Sequence, residues 1–164
     1  MVTTFVINYG RRGREHESLT ALKEVVRVEK SIWEHVLEIL NDQTIFGYMA
    51  TVEDGLPRVR PMGFMFEDGG RLYFCTTANK NVYKQICTTP YIEYTKTTPG
   101  IVWARVRGEV IFDGDIKKKE RIFKEHPELE LAFQTPDNPL FKVFYMEHGE
   151  AILSSFQGWE ACSF

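Results

Sequence analysis

The sequence predicts a mainly β fold: antiparallel strands with a few peripheral helices, closed into a barrel. Three observations carry this expectation. The chain has 164 residues and is 43% apolar, enough for one compact domain with a core and too little for two ordinary ones. The runs IFGYMATV, PRVRPMGFMF and RLYFCTT have an apolar spacing near two and are rich in β-forming residues. The separators between them, EDG and EDGG, contain the Asp-Gly pairs that close β-hairpins. With about six strands, a barrel or a sandwich hides the strand edges, and the barrel is the preferred reading.

Residues 1–27 are charge-rich and poorly patterned after FVINY, and Gly10 and Gly13 weaken any helix there. They read as an N-terminal extension to a domain spanning residues 28–164. From Glu29, Ile32, Trp33, Val36, Leu37, Ile39 and Leu40 recur at helical spacing, which predicts an amphipathic helix ending near Asn41 with Ser31 as its cap. The three strand runs follow in meander order. ANKNVYKQICTTP is too polar for a core strand; Val82, Ile86 and Tyr83 make one helical face, and Pro90 prevents further winding. YIEYTK and IVWARVRGEVIFDG return to the strand pattern. IKKKERIFKEHPEL is a charged helix that stops at Pro127, with Lys117, Lys118 and Lys119 on a solvated face, and FKVFYMEHGEAILSSF supplies at least one last strand. TPDNP, residues 135–139, is a stiff surface loop and not a domain boundary.

Composition excludes several functions. Twenty basic against twenty-three acidic side chains give a net charge of -3, so bulk phosphate-backbone binding is excluded as a main activity and no nucleic-acid partner is expected. Cys75, Cys87 and Cys162 form an odd set without CxxC spacing, which fits a reducing, cytoplasmic setting. MVTTFVINYG places its apolar run before the arginines of GRRGRE, the reverse of a signal peptide, and no uncharged run approaches the roughly 18 residues that span a bilayer. Neither secretion nor membrane insertion is expected. His16, His35, His126 and His148 are scattered without HxxxH or HxH spacing, so no metal site is expected, and GxSxG, GxGxxG and GxxxxGK[ST] are all absent.

The stretch GLPRVRPMGF, residues 55–64, raises the functional question. Arg58 and Arg60 point to one strand face, and the residues that follow on that face, Met62, Phe64 and Phe66, are apolar. Unpaired charges there would be costly. Either this end of the strand is a wet edge, or a ligand supplies the counter-ion. Lys80 lies in CTTANKN at the start of the second helix, with the hydroxyls of Thr76 and Thr77 and the amide of Asn79, and helix N-termini attract anions. If the second and third strands pair through the EDGG hairpin, these groups meet Arg58 and Arg60, a set suited to a phosphate monoester. Pro61 removes a strand donor and Gly63 a side chain, while Trp103, Tyr83, Tyr73 and Phe74 are flat groups in adjoining segments. Such a surface admits a planar ring, although any one of these aromatics taken singly reads as core.

ATVEDGLPRVRPMGF, LYFCTTANKNVYKQICTTP and WARVRGEVIF, in this order, resemble the pyridoxamine 5'-phosphate oxidase-like FMN-binding split-barrel proteins over roughly Glu29 to Phe156. The resemblance implies a six-stranded antiparallel split β-barrel that forms a homodimer, with FMN in clefts at the subunit interface. It implies that Arg60 contacts FMN and that the backbone of Pro61 and Met62 runs along the isoalloxazine ring. Cys75 and Thr76 fall where a strand end meets the flavin, Lys80 falls among the phosphate ligands, and Gln85 and Tyr83 fall on the helix behind the phosphate. Trp103 matches a position that reaches the flavin, often from the other subunit, and Arg58 is a second phosphate ligand or a dimer contact.

A vitamin B6 oxidase proper carries a substrate-phosphate lysine where Met65 stands, and a C-terminal arginine and histidine motif where this chain ends FQGWEACSF. The form is closer to the small flavoproteins grouped with nitroimidazole-resistance reductases. The expected function is that of an FMN-dependent oxidoreductase passing electrons from a reduced nicotinamide to a small acceptor, with no side chain required as acid or base. The alternatives are a non-catalytic flavin- or haem-binding module, with His148 or His126 as axial ligand, a deazaflavin in place of FMN, and a cofactor-free barrel acting through protein contacts. Cys75 is either a thiol beside the flavin or a buried inert one. Phe156 and Trp159 either wrap over the neighbouring flavin or close the barrel.

Overall fold

Helix α1, Ile32–Asn41, forms where the helical spacing predicts it. The structure is a computed structural model describing residues 30–164, so the expected extension, residues 1–27, lies outside the described residues. The Ser31 hydroxyl accepts from the Glu34 N–H at 3.2 Å and the Glu34 carboxylate accepts from the Ser31 N–H at 2.6 Å, satisfying donors that the first turn leaves free. Val36, Ile39 and Leu40 form the buried face of the helix.

The strands are β1 Gly47–Glu53, β2 Leu56–Met62, β3 Phe64–Asp68, β4 Arg71–Thr77, β5 Tyr91–Thr97, β6 Val102–Asp113, β7 Phe141–Met146, β8 Glu150–Ser155 and β9 Gly158–Ser163. Helix α2, Asn81–Thr88, lies between β4 and β5, and α3, Ile116–Glu125, follows β6. Both Asp-Gly signals are two-residue hairpins. Asp54 and Gly55 have φ of 53° and 74°, and Gly69 and Gly70 have 62° and 82°, left-handed pairs whose twist matches that of the flanking strands.

PRVRPMGFMF is not the single strand its spacing predicts. β2 pairs with β1 and β3 pairs with β4, so the chain changes partners at Gly63. Pro61 has no N–H to give and Gly63 has no side chain to pack, and a continuous ladder is not sustained there. The inward face does not continue either: a register shift between Phe64 and Phe66 leaves Phe64 in the first core and Phe66 in the second. This break, together with the three strands β7, β8 and β9 after Phe141, raises the strand count above the six expected.

The strand order is β2-β1-β5-β6-β7-β4-β3, with β8 on β6 and β9 on β8, and every pairing is antiparallel. The two ends of this order, β2 and β3, are joined at Gly63. The sheet must therefore curl until its ends meet, yet they are not paired to each other, which is the open, split form of a barrel. Inside it Met49, Phe74, Tyr94 and Phe144 pack with α1 and with Val82 and Ile86 of α2. A second core lies on the other face of β3, β4 and β7, where Tyr73, Cys75 and Phe141 meet Ile122 and Phe123 of α3.

Two buried side chains of β5 tie this interior to backbone ends. Lys96 Nζ donates to the carbonyls of Leu40 at 2.7 Å and Asp42 at 3.0 Å, closing the C-terminus of α1; burial lowers its pKa against the pull of Asp42. Tyr94 Oη donates to Met62 O at 3.1 Å, fixing the end of β2. Gly47 makes room for that ring, since a Cβ there would lie 1.8 Å from Tyr94 Oη. Gly47→Ala is expected to lower stability by about 1–3 kcal/mol, read as a fall in melting temperature; an unchanged melting curve would show that Tyr94 is not held in this position.

Candidate functional site

Helix α2 lies over the inner face of β1 and brings polar residues of three elements together. The hairpin register sets Met49 opposite Arg60 and Thr51 opposite Arg58, so these four share one face while Val59 and Pro61 take the other. Arg60 Nη1 donates to Met49 O at 3.1 Å and to Thr51 Oγ1 at 2.7 Å, and Nη2 donates to Gln85 Oε1 at 2.8 Å. Thr51 Oγ1 donates in turn to Gln85 Oε1 at 2.6 Å. Gln85 Nε2 donates to Glu53 Oε1 at 3.2 Å, and Arg58 Nε to Glu53 Oε2 at 2.9 Å.

Thr51 and Gln85 are buried and Arg60 is half-buried. Burial pulls the Arg60 guanidinium below its ordinary pKa against the attraction of Glu53. Hydrogen bonds from Arg58 and then Gln85 hold the Glu53 carboxylate below the usual carboxylate range. A guanidinium carries five N–H donors, of which Arg60 spends three on these partners. The remaining donors are free for an anion.

The end of β4 supplies the next groups. Thr76 is buried, and its hydroxyl has no partner among the described residues, an arrangement that ordinarily costs stability unless a ligand completes it. Thr77 Oγ1 donates to Asn79 Oδ1 at 2.9 Å. Lys80 occupies the N-cap of α2 with no side-chain cap bond, is exposed, and makes no ion pair among the described residues. Lys80 and Gln85, the helix residue that Arg60 bonds, are separated by roughly 7–8 Å along the helix axis and about 140° around it.

The strand pairing expected to bring them together does not form. The EDGG hairpin pairs β4 with β3 and not with the strand carrying the arginines; what the two groups share is α2, which carries Lys80 at its start and Gln85, the partner of Arg60. Arg58 is engaged by Glu53. Thr51 and Glu53 went unnoticed in the sequence, although a two-residue Asp-Gly turn fixes the register that sets a threonine and a glutamate of ATVEDG on the face of two arginines.

The other expected residues divide. Met62 packs on the first core with its carbonyl held by Tyr94, and Pro61 is exposed on the terminal strand β2 of the sheet order. Tyr83, two residues before Gln85 and so turned well away from it, packs on Phe112 at 5.0 Å and lines a hollow of about 200 Å³ with Lys119 and Lys142. Its phenol pKa is raised by a hydrogen bond with Cys87. Trp103 lies three strands from β2, roughly 14 Å across the sheet, where it meets Phe156 edge-on at 6.1 Å; within one chain it does not join the Arg60 group. Tyr73 and Phe74 are core.

Cys75 faces the second core, its Sγ 3.5 Å from Met65 Sδ, and burial pushes its thiol up to about 12. His126 is buried, with Nε2 3.2 Å from Met65 O and Nδ1 3.4 Å from Glu128, and His148 sits at positive φ between β7 and β8. Among the described residues no group of three or more His, Cys, Asp and Glu side chains is placed to hold a metal ion, and no helix is long and apolar enough to cross a membrane. A larger hollow of about 510 Å³ lies on the outside of α1, lined by Lys30, Glu34 and Asp42 among others, away from Arg60. Neither hollow is lined by Arg60, Thr76 or Lys80.

Comparison with known proteins adds to this geometry. A family model described as pyridoxamine 5'-phosphate oxidase matches residues 32–152. A NimC/NimA family protein from Clostridium acetobutylicum superposes with a TM-score of 0.72 at 34% identity, over 80% of this chain and 92% of that one. General Stress Protein 26 from Bacillus anthracis gives 0.68 at 17% identity, over 80% and 97%. A heme binding protein from Mycobacterium smegmatis gives 0.69 at 13% identity, over 83% of this chain and 59% of that one. The last two are likenesses of fold. A search of the curated proteins gives no match.

The placement of the cysteines is directly testable. A thiol reagent at pH 8 is expected to label the exposed Cys87 rapidly in native protein and to reach Cys75 only on unfolding. Rapid native labelling of Cys75, located by peptide mapping, would contradict its place in the second core.

Proposed function

The chain belongs to the pyridoxamine 5'-phosphate oxidase family, and on that footing we propose that it is a cytoplasmic, homodimeric FMN-binding oxidoreductase passing electrons from a reduced nicotinamide to a small acceptor. The observation that carries this reading is the Arg60 guanidinium, fixed on one side by Met49, Thr51 and Gln85 with donors to spare. Such a fork suits bidentate contact with a phosphate. The unpartnered, buried Thr76 hydroxyl and the uncapped start of α2 at Lys80 fit the same group, because a phosphate monoester offers acceptor oxygens to each.

When bound, FMN supplies the redox chemistry. The chain's part is to bind and orient it. Arg60, Lys80, Thr76 and Thr77 would hold the phosphate, and the stretch Pro61–Gly63, at the seam where neither β2 nor β3 has a further strand partner, leaves backbone free to meet a flat ring. Met65 is buried against Cys75 and supplies no cation for a substrate phosphate, which favours a small acceptor over a vitamin B6 phosphate.

The dimer reading is supported by the outer face of β2, β1 and β5, where Tyr48, Val52, Val59 and Tyr91 are exposed side by side. A second copy laid there buries apolar surface that would otherwise face water, and it supplies a route for a Trp103 to approach the flavin of its neighbour.

Arg60→Ala and Lys80→Ala are each expected to raise the FMN dissociation constant about tenfold or more, measured by quenching of flavin fluorescence; unchanged affinity in both would remove the phosphate assignment. Val59→Asp is expected to convert a dimer to a monomer in size-exclusion chromatography with light scattering, and a dimer that persists in this variant would place the interface elsewhere.

A further inference from the structure

Glu53 is a carboxylate within the cluster that is itself unsuited to bind an anion. It is divided between two partners: Oε2 accepts from Arg58 Nε at 2.9 Å and Oε1 from Gln85 Nε2 at 3.2 Å. A glutamine amide has a donor end and an acceptor end, and at Gln85 each end faces fixed groups. Its Oε1 receives Arg60 Nη2 at 2.8 Å and Thr51 Oγ1 at 2.6 Å. If the amide turned over, its NH2 would face the Arg60 guanidinium, which can only donate, and its oxygen would face the Glu53 carboxylate, which can only accept; the Thr51 hydroxyl could rotate to suit either sense. The guanidinium and the carboxylate thus oppose the turned-over amide from its two ends.

We infer that Glu53 is a positioning residue: by holding the Gln85 amide in one orientation, it keeps Arg60 turned with its free donors toward the bound anion. The inference depends on the FMN reading for the identity of that anion. Glu53 acts through Gln85 and needs no contact with the cofactor. Its own charge would oppose a nearby phosphate, and Arg58, paired with it across the hairpin, offsets that charge. The two arginines of PRVRP therefore have different tasks. Arg60 serves the ligand and Arg58 serves Glu53. Because Gln85 and Thr51 are buried, the orientation is set by these side chains and not by solvent.

Two measurements test this. In nitrogen-15 NMR of the ligand-free protein, the Arg60 Nη groups are expected to rotate slowly and give separate signals, which Glu53→Ala merges. The Arg107 signals, from a guanidinium paired with Glu150 at 2.7 Å, should stay unchanged. In flavin titrations, Glu53→Ala is expected to weaken FMN about tenfold and leave riboflavin, which lacks the phosphate, unaffected; in a Gln85→Ala background it should add little. Glu53→Gln keeps the shape and removes the charge, and it carries both tests if Glu53→Ala does not fold. Separate Arg60 signals in the variant, or equal losses for FMN and riboflavin, overturn the inference. If the wild-type protein binds no FMN while the Arg60 signals merge as expected, the positioning stands and the FMN reading falls. If it binds FMN and the variants change neither signals nor affinity, the reverse holds.

Discussion

The positive charge of Arg60, half-buried at the end of an antiparallel sheet, is the constraint around which the neighbouring residues are arranged. A guanidinium in that position needs acceptors, and the chain supplies a backbone carbonyl, a hydroxyl and an amide from β1 and α2. That requirement explains a buried threonine on β1 and a buried glutamine on a short helix whose other inward residues are apolar. Glu53 completes the set by accepting from the other end of the Gln85 amide. Half-satisfied polar clusters cost stability, and this one is complete on its protein side and open on the other.

The second constraint is topological. A strand order whose two ends are consecutive in the chain forces the sheet to curl, and the join falls at Gly63, just past the arginines. The open edges of the sheet and the Arg60 guanidinium are thus near each other by construction. Tyr94, anchored beside Gly47 and bonded to the Met62 carbonyl, holds the end of β2 where the seam begins. Core packing and site geometry meet in that single hydrogen bond.

Much of this was legible in the sequence, and for physical reasons. Asp54-Gly55 and Gly69-Gly70 fix two hairpins because left-handed turn residues are scarce; Ser31 and Glu34 fix the first helix start because the capping box is local. Arg60, Thr76 and Lys80 stood out as polar groups at strand and helix ends. What was not legible depends on contacts distant in the chain. The break at Gly63 separates two strands with different partners, which apolar spacing alone does not reveal. Gln85 was noticed only through family resemblance, since nothing near it in the chain tells which polar residue a helix buries. Cys75 lies one residue from Thr76, yet strand alternation sends the two to opposite cores. Trp103 is remote from Arg60 within one chain, and its expected part depends on a second copy.

The most direct measurement is the visible absorption spectrum of the purified protein, with the cofactor released by denaturation and identified by mass. A site built around Arg60 for a flavin phosphate gives the flavin absorbance bands and close to one FMN per chain. A colourless protein that takes up no FMN when it is added, or a haem Soret band in place of the flavin bands, would contradict it.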